Sequence, residues 1–353
     1  MKQRITILGG GLSGLLIGYR LKKLGFKIQI LEARNRLGGR ISTVLSANET
    51  PVEMGATWFG EQHINLLALL KELGLSYFEQ HMKGAAYFEA FSMAPPQSID
   101  IPDDNPSYRI AGGTSSLIKV LAEYFDKEEV YLNQQVKELD FNNDVVMITT
   151  DHRSFETDIV ISTLPPALLV NSIKFLPSIS SELSDIAKST HTWMQDAIKV
   201  ALVYKEPFWR NKNISGTLFS NVGPVTEFYD HSNYEVTKYA LCGFINSGYS
   251  QFSKEERKEK IISQLERLLG SEVLEYIAYE EIIWSEEPFT KDKEQGNIFV
   301  YPHQNNGNAV FSQDYFNNKF YISGTETSSH FPGYIEGAVF SANKIVSKIV
   351  NYL

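Results

Sequence analysis

The chain has 353 residues, enough for a large core and for two domains at about 150 residues per domain. Its content of 43% hydrophobic and 21% charged residues is ordinary for a soluble globular protein, and a formal net charge of −9 disfavours nucleic acid partners because phosphates would be repelled. The single cysteine, Cys242, excludes a disulfide framework or a cysteine metal site and favours a reducing cytoplasm.

The first predicted elements are a strand, a glycine turn, a helix and a second strand. In RITILGGGLSGLLIGYRLKKLGFKIQILEAR, residues 5–8 have the pattern of a buried strand and residues 12–24 that of a helix. The turn has G-x-G-x-x-G spacing, in which Gly9 allows the tight turn, Gly11 lets backbone approach a pyrophosphate and Gly14 lets helix and strand pack closely. With strand, helix and second strand all in place, we expect a dinucleotide site and not a chance glycine turn.

Features at both ends of the chain bear on which dinucleotide binds. Glu32 ends the second strand 18 residues after Gly14, where an acid would accept hydrogen bonds from a ribose. The basic, glycine-rich turn ARNRLGGRIST follows and supplies donors for the pyrophosphate. Near the C-terminus we expect a strand over 320–323 and a helix from near Gly333, whose amides could face an electron-rich group. Cofactor-contacting segments at both ends favour FAD over NAD.

The middle of the chain has the pattern of an antiparallel sheet, with strands near 194–205 and 237–245. An amphipathic helix is expected between the cap Ser253 and Gly270. The seven histidines have no ligand spacing and the serines lack G-x-S-x-G, so neither a metal site nor a nucleophile elbow is expected. His63 and His330 are interpreted as structural or surface residues, with substrate contact as the alternative.

Targeting and membrane-spanning segments are not expected. The sequence MKQRITILGGG enters the first strand without an apolar signal region, and no apolar run reaches about 18 residues. We therefore expect a cytoplasmic protein without a membrane span.

Seven motifs occur in one order along nearly the whole chain and resemble the flavin-containing amine oxidase family, which includes the monoamine and polyamine oxidases. They are GGGLSGL, LEARNRLGGR, EMGATWFG, GGTSSLIKVLAE, ISTLPPALL, IKVALVYKEPFW and GTETSSHFPGYIEGAV. The resemblance implies an α/β fold with a discontinuous Rossmann-like FAD-binding domain, formed by 1–78, 109–188 and 287–353. A second, substrate domain with an antiparallel sheet and helices would comprise 79–108 and 189–286.

The resemblance also implies which residues contact FAD. They are Gly9, Gly11, Leu12, Ser13, Gly14, Glu32, Arg34, Gly39, Arg40, Gly55, Ala56, Thr57, Trp58, Val136, Gly324, Glu326, Tyr334 and Ile335. Tyr334 and Ile335 would lie by the isoalloxazine, and Glu326 by the ribityl chain and pyrophosphate. Val136 would lie near the adenine or be plain core, and Arg34 would contact FAD or be a solvated surface residue.

Three departures from the family pattern limit what carries over. A proline-rich connection, AFSMAPPQSIDIPDDNPSYRIA, replaces a longer helical insertion that would cover the substrate. The segment TKDKEQGNIFVYP has no cysteine, so FAD is expected to be noncovalent. The same segment puts Asn297 or Ile298 where an aromatic residue would oppose Tyr334 in an amine cage, with Phe299 and Tyr301 nearby. Apart from these three, the arginine that amino acid oxidases of this superfamily place after the MGA turn is not evident in MGATWFG, which disfavours a substrate carboxylate.

Lys199 lies in the apolar run QDAIKVALVY. Strand alternation puts it on one face with Ala197 and Ala201. From the pattern alone it is either a strand-edge lysine that reaches solvent or a buried lysine with a partner. The resemblance implies that Lys199 reaches through a water toward flavin N5, and makes it and Tyr334 the candidate catalytic residues.

The activity implied by the resemblance is oxidation of an amine. Hydride would pass from the carbon next to the nitrogen to flavin N5, and O₂ would reoxidise the flavin to give H₂O₂. Two alternatives stay open: a desaturase-like or porphyrinogen-oxidase-like flavoprotein acting on carbon bonds, and an FAD-binding accessory protein without turnover. Neither the particular amine nor the oligomeric state follows from the sequence.

Overall fold

The computed structural model describes residues 3–102, 104–290 and 301–352. Strands and helices alternate through these ranges in a mixed α/β fold. The strands are β1 (Arg4–Leu8), β2 (Lys27–Leu31), β3 (Thr43–Leu45), β4 (Pro51–Glu53), β5 (Tyr77–Glu79), β6 (Ala85–Glu89), β7 (Gln97–Ile99), β8 (Tyr108–Ile110), β9 (Val130–Tyr131), β10 (Val136–Asp140), β11 (Val146–Thr150), β12 (Ser154–Thr157), β13 (Ile159–Ser162), β14 (Lys174–Leu176), β15 (Ile198–Tyr204), β16 (Ile214–Ser220), β17 (Val225–Asp230), β18 (Tyr239–Ile245), β19 (Ala278–Ile283) and β20 (Phe320–Ile322). The α-helices are α1 (Leu12–Lys23), α2 (Ile64–Glu72), α3 (Ser115–Ala122), α4 (Pro166–Ser172), α5 (Ser181–Lys188), α6 (Phe208–Asn211), α7 (Lys254–Leu269) and α8 (Ile335–Tyr352).

A five-stranded parallel sheet, ordered β20-β13-β1-β2-β9, forms the Rossmann-like part of the fold. The central strand β1 buries Ile5, Ile7 and Leu8, as expected for a strand covered on both faces, and also Thr6, whose hydroxyl donates to Gln29 Oε1 at 3.2 Å. Helices α1 and α8 pack together on the sheet, and their apolar residues share one core with Ile5 and Ile7. The predicted strand, glycine turn, helix and strand are confirmed, and so is the α/β class.

A seven-stranded sheet, ordered β19-β15-β18-β17-β16-β6-β7, is antiparallel except for the parallel pair β16 and β6. Its face with Ile198, Val200 and Leu202 packs against α7, where Ile261 and Leu265 are buried. The predicted helix α7 is present, with a capping box at its N-terminus and a glycine at its end. The opposite face of β15, which carries the lysine of this strand, points toward the cavity described below.

The two large sheets fall in different parts of the chain. All strands of the five-stranded sheet, and of the four-stranded sheet β12-β11-β10-β14, lie within 1–78, 109–188 and 287–353. All strands of the seven-stranded sheet lie within 79–108 and 189–286. The expected boundaries at 78 and 109 fall within β5 and β8, and these two strands pair with each other. The division into two domains stays a prediction.

Helix length and hydropathy bear on membrane insertion. Within the described ranges, none of the helices has both the length and the apolar character that a bilayer span requires.

Candidate active site

A cavity of about 410 Å³ lies between the ends of the parallel strands and the inner face of the seven-stranded sheet. Most of the residues predicted to contact the cofactor line it, and Lys199 lines it with them. The predicted residues on its wall are Gly9, Gly11, Leu12, Ser13, Glu32, Arg34, Gly39, Arg40, Gly55, Ala56, Thr57, Trp58, Gly324, Tyr334 and Ile335.

Three predicted residues do not line the cavity. Gly14 acts in packing, since a Cβ there would lie 2.0 Å from the carbonyl oxygen of Gly9. Val136 is 7% exposed and belongs to the apolar core around β10, as the plain-core alternative proposed. Glu326 lies behind Arg40, with which it forms an ion pair. The sequence motif therefore identifies supporting residues as well as wall residues.

The glycine turn from Gly9 to Gly11 leaves a groove without side chains in the wall of the cavity. Gly9 has φ +103, a conformation that favours glycine. A Cβ on Gly11 would meet nothing nearer than 3.9 Å, so this side of the turn is open. Gly11 also caps α1 without a side-chain hydrogen bond, and Leu12 and Ser13 bring the first turn of α1 to the wall. Free amides at a helix N-terminus next to open space fit the pyrophosphate of a dinucleotide.

Glu32 and Arg34 form the wall beside the glycine turn. Glu32 is 4% exposed, and its two carboxylate oxygens accept from the backbone N–H groups of Gly10 and Arg34 at 2.7 and 2.8 Å. A carboxylate oxygen can accept more than one hydrogen bond, so Glu32 retains capacity for ribose hydroxyls. Arg34 donates to Thr290 Oγ1 at 2.6 Å, and its buried Nε has no hydrogen-bond partner among the described residues. Arg34 is thus partly buried on the cavity wall, and the solvated-surface alternative is wrong.

Arg40 reaches the cavity because a buried carboxylate holds it. Its guanidinium forms a two-point contact with Glu326, with Nη1 at 2.6 Å from Oε1 and Nη2 donating to Oε2 at 2.9 Å. Glu326 is 1% exposed, which favours a fixed geometry for the pair. Nη1 also lies 3.4 Å from the carbonyl oxygen of Trp193. Glu326 therefore positions a cation on the wall.

Lys199 is buried at the centre of the site, with 1% exposure. Its Nζ donates to Gly55 O at 2.7 Å and to Thr57 Oγ1, and lies 4.7 and 5.3 Å from the ring centres of Trp58 and Phe244. Burial lowers the pKa of the Lys199 amine because the charged form loses its hydration. The strand β15 is flanked by two neighbours, so the alternative of a strand-edge lysine that reaches solvent is wrong.

Aromatic rings cover another part of the wall. Tyr334 lines the cavity and is 42% exposed. Its ring is nearly parallel to those of His303 and Trp193, each with centres 6.3 Å away, and the Trp193 and His303 rings stack at 4.2 Å. Tyr334 thus lies beside the stacked pair of Trp193 and His303, and its side chain is partly accessible from the cavity.

Most of the positions considered for the side chain opposite Tyr334 lie outside the described residues. Asn297, Ile298 and Phe299 lie outside the described residues. Tyr301 is described, is 80% exposed and does not line the cavity. The amine cage therefore stays a prediction.

The two histidines near the glycine motifs do not line the cavity. His63 is 4% exposed, as the structural alternative expects, its Nδ1 accepts from the backbone of Gly60 at 3.2 Å, and its ring centre lies 5.9 Å from that of Tyr334. The His330 ring packs at 4.4 Å from that of Phe340. Neither is among the described residues of the wall. Among all the residues that the structure describes, no group of three or more His, Cys, Asp or Glu side chains is arranged to hold a metal ion.

Sequence reasoning missed several wall residues, among them Glu227, Phe244, Trp193 and Trp284. Glu227 and Phe244 are cross-strand neighbours, and Phe244 pairs in turn with Lys199. Strand alternation would have assigned them to the cavity face only if the pairing of β15, β18 and β17 had been known. Trp284 donates from Nε1 to Met54 O at 2.8 Å.

The parallel sheet, the glycine groove at a helix N-terminus and the acid at the end of β2 define a dinucleotide-binding oxidoreductase fold of the flavoprotein type. The chain belongs to the flavin containing amine oxidoreductase family, whose model matches residues 12–97 and 82–350. The protein is therefore a flavin-dependent amine oxidase, and FAD is its cofactor.

Individual relatives are distant but match over almost their full length. The chain is 25% identical over 457 residues to human amine oxidase [flavin-containing] B, covering 98% of this chain and 86% of that protein. It is 22% identical over 455 residues to the probable flavin-containing monoamine oxidase A of Dictyostelium discoideum, covering 99% and 98%. Putrescine oxidase bound to putrescine superposes with a TM-score of 0.86 at 21% identity, covering 99% of each chain. Cyclohexylamine oxidase from Brevibacterium oxydans IH-35A gives 0.86 at 17%, covering 100% and 99%.

Proposed function

We propose that the protein oxidises an amine at the end of the cavity where Lys199 and Tyr334 lie, with FAD extending from there to the glycine groove. When bound, FAD accepts hydride from the carbon next to the amine nitrogen and is reoxidised by O₂. The observation that carries the proposal is the fully buried Lys199, whose Nζ is held by two hydrogen bonds on the wall of the same cavity as the dinucleotide groove.

The chain offers a complete set of groups for noncovalent FAD. The open side of Gly11 and the first turn of α1 would hold the pyrophosphate, and Glu32 would accept from the ribose. The unpartnered Nε of Arg34 is a further donor on this wall. Cys242, the single cysteine of the sequence, is fully buried in β18 and is not a wall residue. A cysteinyl link to the flavin is therefore disfavoured.

Lys199 has the properties of a residue that holds a water molecule and its proton. Gly55 O and Thr57 Oγ1 accept from both N–H groups of the neutral amine, which leaves its lone pair to accept a hydrogen bond from a water in the cavity. The low exposure of Lys199 excludes bulk solvent from Nζ and favours the neutral amine, which can accept a proton. Tyr334 presents an accessible ring that would orient an amine next to this water.

The proposal is tested with purified protein carrying FAD. Amines added without oxygen should bleach the flavin absorbance, and admission of air should release one peroxide per amine consumed. Bleaching by compounds with reactive carbon–carbon bonds, and not by amines, would favour the desaturase-like alternative. A yellow protein that no compound bleaches would favour the accessory-protein alternative.

Two further expectations stay proposals. The single cysteine supports a cytoplasmic location, which cell fractionation would test. The separate chain segments of the two large sheets support the division into FAD and substrate domains, which limited proteolysis would test. The oligomeric state is a question for sedimentation analysis.

A further inference from the structure

A second cavity, of about 480 Å³, lies beside the strand pair β5 and β8 and the loop that follows β17. Among the described residues it shares no wall residue with the cavity that holds Lys199. The two cavities are linked by Gln80, which lines the second one and accepts at 2.9 Å from Nε1 of Trp58, a wall residue of the first. A ligand of the second cavity would therefore be distinct from the amine and from FAD.

Arg109 is a buried cation on the wall of this second cavity. It is 5% exposed, pairs with Phe78 across β5 and β8, and has its guanidinium carbon 4.7 Å from the centre of the Phe78 ring. Its Nη2 donates to Ser232 O at 2.6 Å, and its buried Nε has no hydrogen-bond partner among the described residues. Nη1 has none there either but keeps exposed surface, so its N–H groups are open to the cavity.

The charge of Arg109 is not neutralised by an ion pair with any carboxylate of the described residues. Asp230 is the acid that acts on it most strongly, but Arg210 engages both oxygens of Asp230, at 2.6 and 2.9 Å. Burial lowers the pKa of Arg109 to about 10, which leaves the guanidinium charged at neutral pH. The wall thus carries a desolvated positive charge that a bound anion would compensate.

A second polar group next to Arg109 also lacks a partner. Ser232 lines the cavity and is 1% exposed, and its Oγ is buried without a hydrogen-bond partner among the described residues. A buried donor without a partner is costly, so two of them in contacting residues on one cavity wall favour an absent ligand.

The rest of the wall indicates what kind of anion would fit. Its other charged residues are Arg210, which is paired with Asp230, and three exposed residues whose charges solvent screens, Glu79, Lys83 and Asp100. Apolar surface comes from Phe78, Met82, Ile101, Tyr234 and Val236. One buried guanidinium beside such a wall matches a single carboxylate on an apolar body.

We propose that this second cavity binds a small organic carboxylate, with the carboxylate on Arg109 and the apolar body against Phe78 and Tyr234. These two rings lie 5.5 Å apart, centre to centre, and form one aromatic surface. The carboxylate would accept from Nη1 and give Arg109 the ionic partner that the described residues do not supply. The inference does not depend on the proposed oxidation of amines.

The test is calorimetric titration of holoenzyme with phenylacetate and with its neutral analogue 2-phenylacetamide. We expect wild type to bind phenylacetate about 10- to 100-fold more tightly, as a charge-assisted contact provides. Arg109→Gln should abolish this preference. Arg153→Gln is the matched control and should keep it, since Arg153 also lies over an aromatic ring, at 4.4 Å from the centre of Tyr131, but is exposed and is not a wall residue.

A second variant covers the case in which Arg109→Gln does not fold. Val236 is an exposed wall residue with φ +55, a conformation that aspartate adopts more readily than valine. Val236→Asp should therefore fold, and its added negative charge should weaken phenylacetate binding by 10-fold or more.

Three results would overturn the inference. One is equal binding of phenylacetate and 2-phenylacetamide, or no binding of either. Another is a preference that survives Arg109→Gln, or Val236→Asp where the first variant does not fold, and is lost in Lys199→Met, which would place the carboxylate in the first cavity. The third is acetate binding as tightly as phenylacetate, which would exclude a contribution from the apolar wall.

Discussion

Replacing Lys199 with methionine tests the centre of the site. Methionine keeps an unbranched chain of similar length and removes only the hydrogen-bonding nitrogen. Gly55 O keeps a partner, since Thr57 Oγ1 donates to it at 3.0 Å. At alkaline pH, where the lysine is neutral in both the folded and the unfolded chain, the stability cost should therefore be that of one ordinary hydrogen bond, about 1 kcal/mol. FAD content should be unchanged, because the groups proposed to hold its pyrophosphate and ribose lie on the other sheet.

The kinetic effect should be large in one half of the reaction. Loss of a group that holds a proton at the reacting centre costs about 100-fold or more. Because Lys199 is proposed to hold the water that assists flavin reoxidation, stopped-flow mixing with O₂ should show this loss, while anaerobic reduction by amine stays within a few-fold of wild type. Wild-type rates in both half-reactions would make Lys199 structural and would refute our assignment.

The same variant has a signature in the pH dependence of stability. Burial lowers the pKa of Lys199, so below its ordinary pKa the unfolded chain binds a proton more readily than the folded one. The free energy of unfolding of wild type should therefore rise with pH between the lowered and the ordinary pKa, and Lys199→Met should lack this rise. Denaturant titrations across alkaline pH measure it. Parallel curves for the two proteins would mean that Lys199 keeps an ordinary pKa.

Three further predictions concern FAD. Acid precipitation should release FAD into the supernatant, and flavin in the pellet would show a covalent link. Glu32→Ala should weaken FAD binding by about 1.5–3 kcal/mol, the value of a hydrogen bond to a charged group; unchanged affinity in equilibrium dialysis would remove Glu32 from the site. Gly11→Ala should fold with normal apoprotein stability, since the new Cβ meets no protein atom within 3.4 Å, yet bind FAD weakly because it fills the groove. Full FAD occupancy of Gly11→Ala would contradict the assigned pyrophosphate position.

The Rossmann-like part was predictable because its signals are local. The turn at Gly9 needs a positive φ, Gly14 needs close approach to Gly9, and Glu32 ends a short apolar strand, all within about one βαβ unit. The position of Glu326 did not follow from local pattern. Glu326 is 286 residues from Arg40 in the chain and holds the Arg40 guanidinium, so it lies behind the cavity wall and not on it.

The substrate side was less predictable because strand pairing decides it. Whether Lys199 is an edge or an interior residue depends on β18 and β19, which follow it by tens of residues and flank it on both sides. The same pairing brings Glu227 to the cavity, although no motif marks it. A single-residue change in register would turn each of these side chains to the opposite face of the sheet.

The short segment before β8 has a structural role that its proline-rich sequence did not indicate. In place of a plain connection, it supplies the turn and the second strand of the hairpin β6–β7, with Gln97 paired to Phe88, and so adds β7 to the far edge of the seven-stranded sheet. The turn of this hairpin is open to solvent, with Phe91 70% and Met93 96% exposed. The segment thus extends the sheet that carries Glu227. With so short a segment available to cover the substrate, we expect discrimination between amines to come mainly from side chains on the cavity face of the sheet, where Lys199, Phe244 and Glu227 lie in a row across β15, β18 and β17.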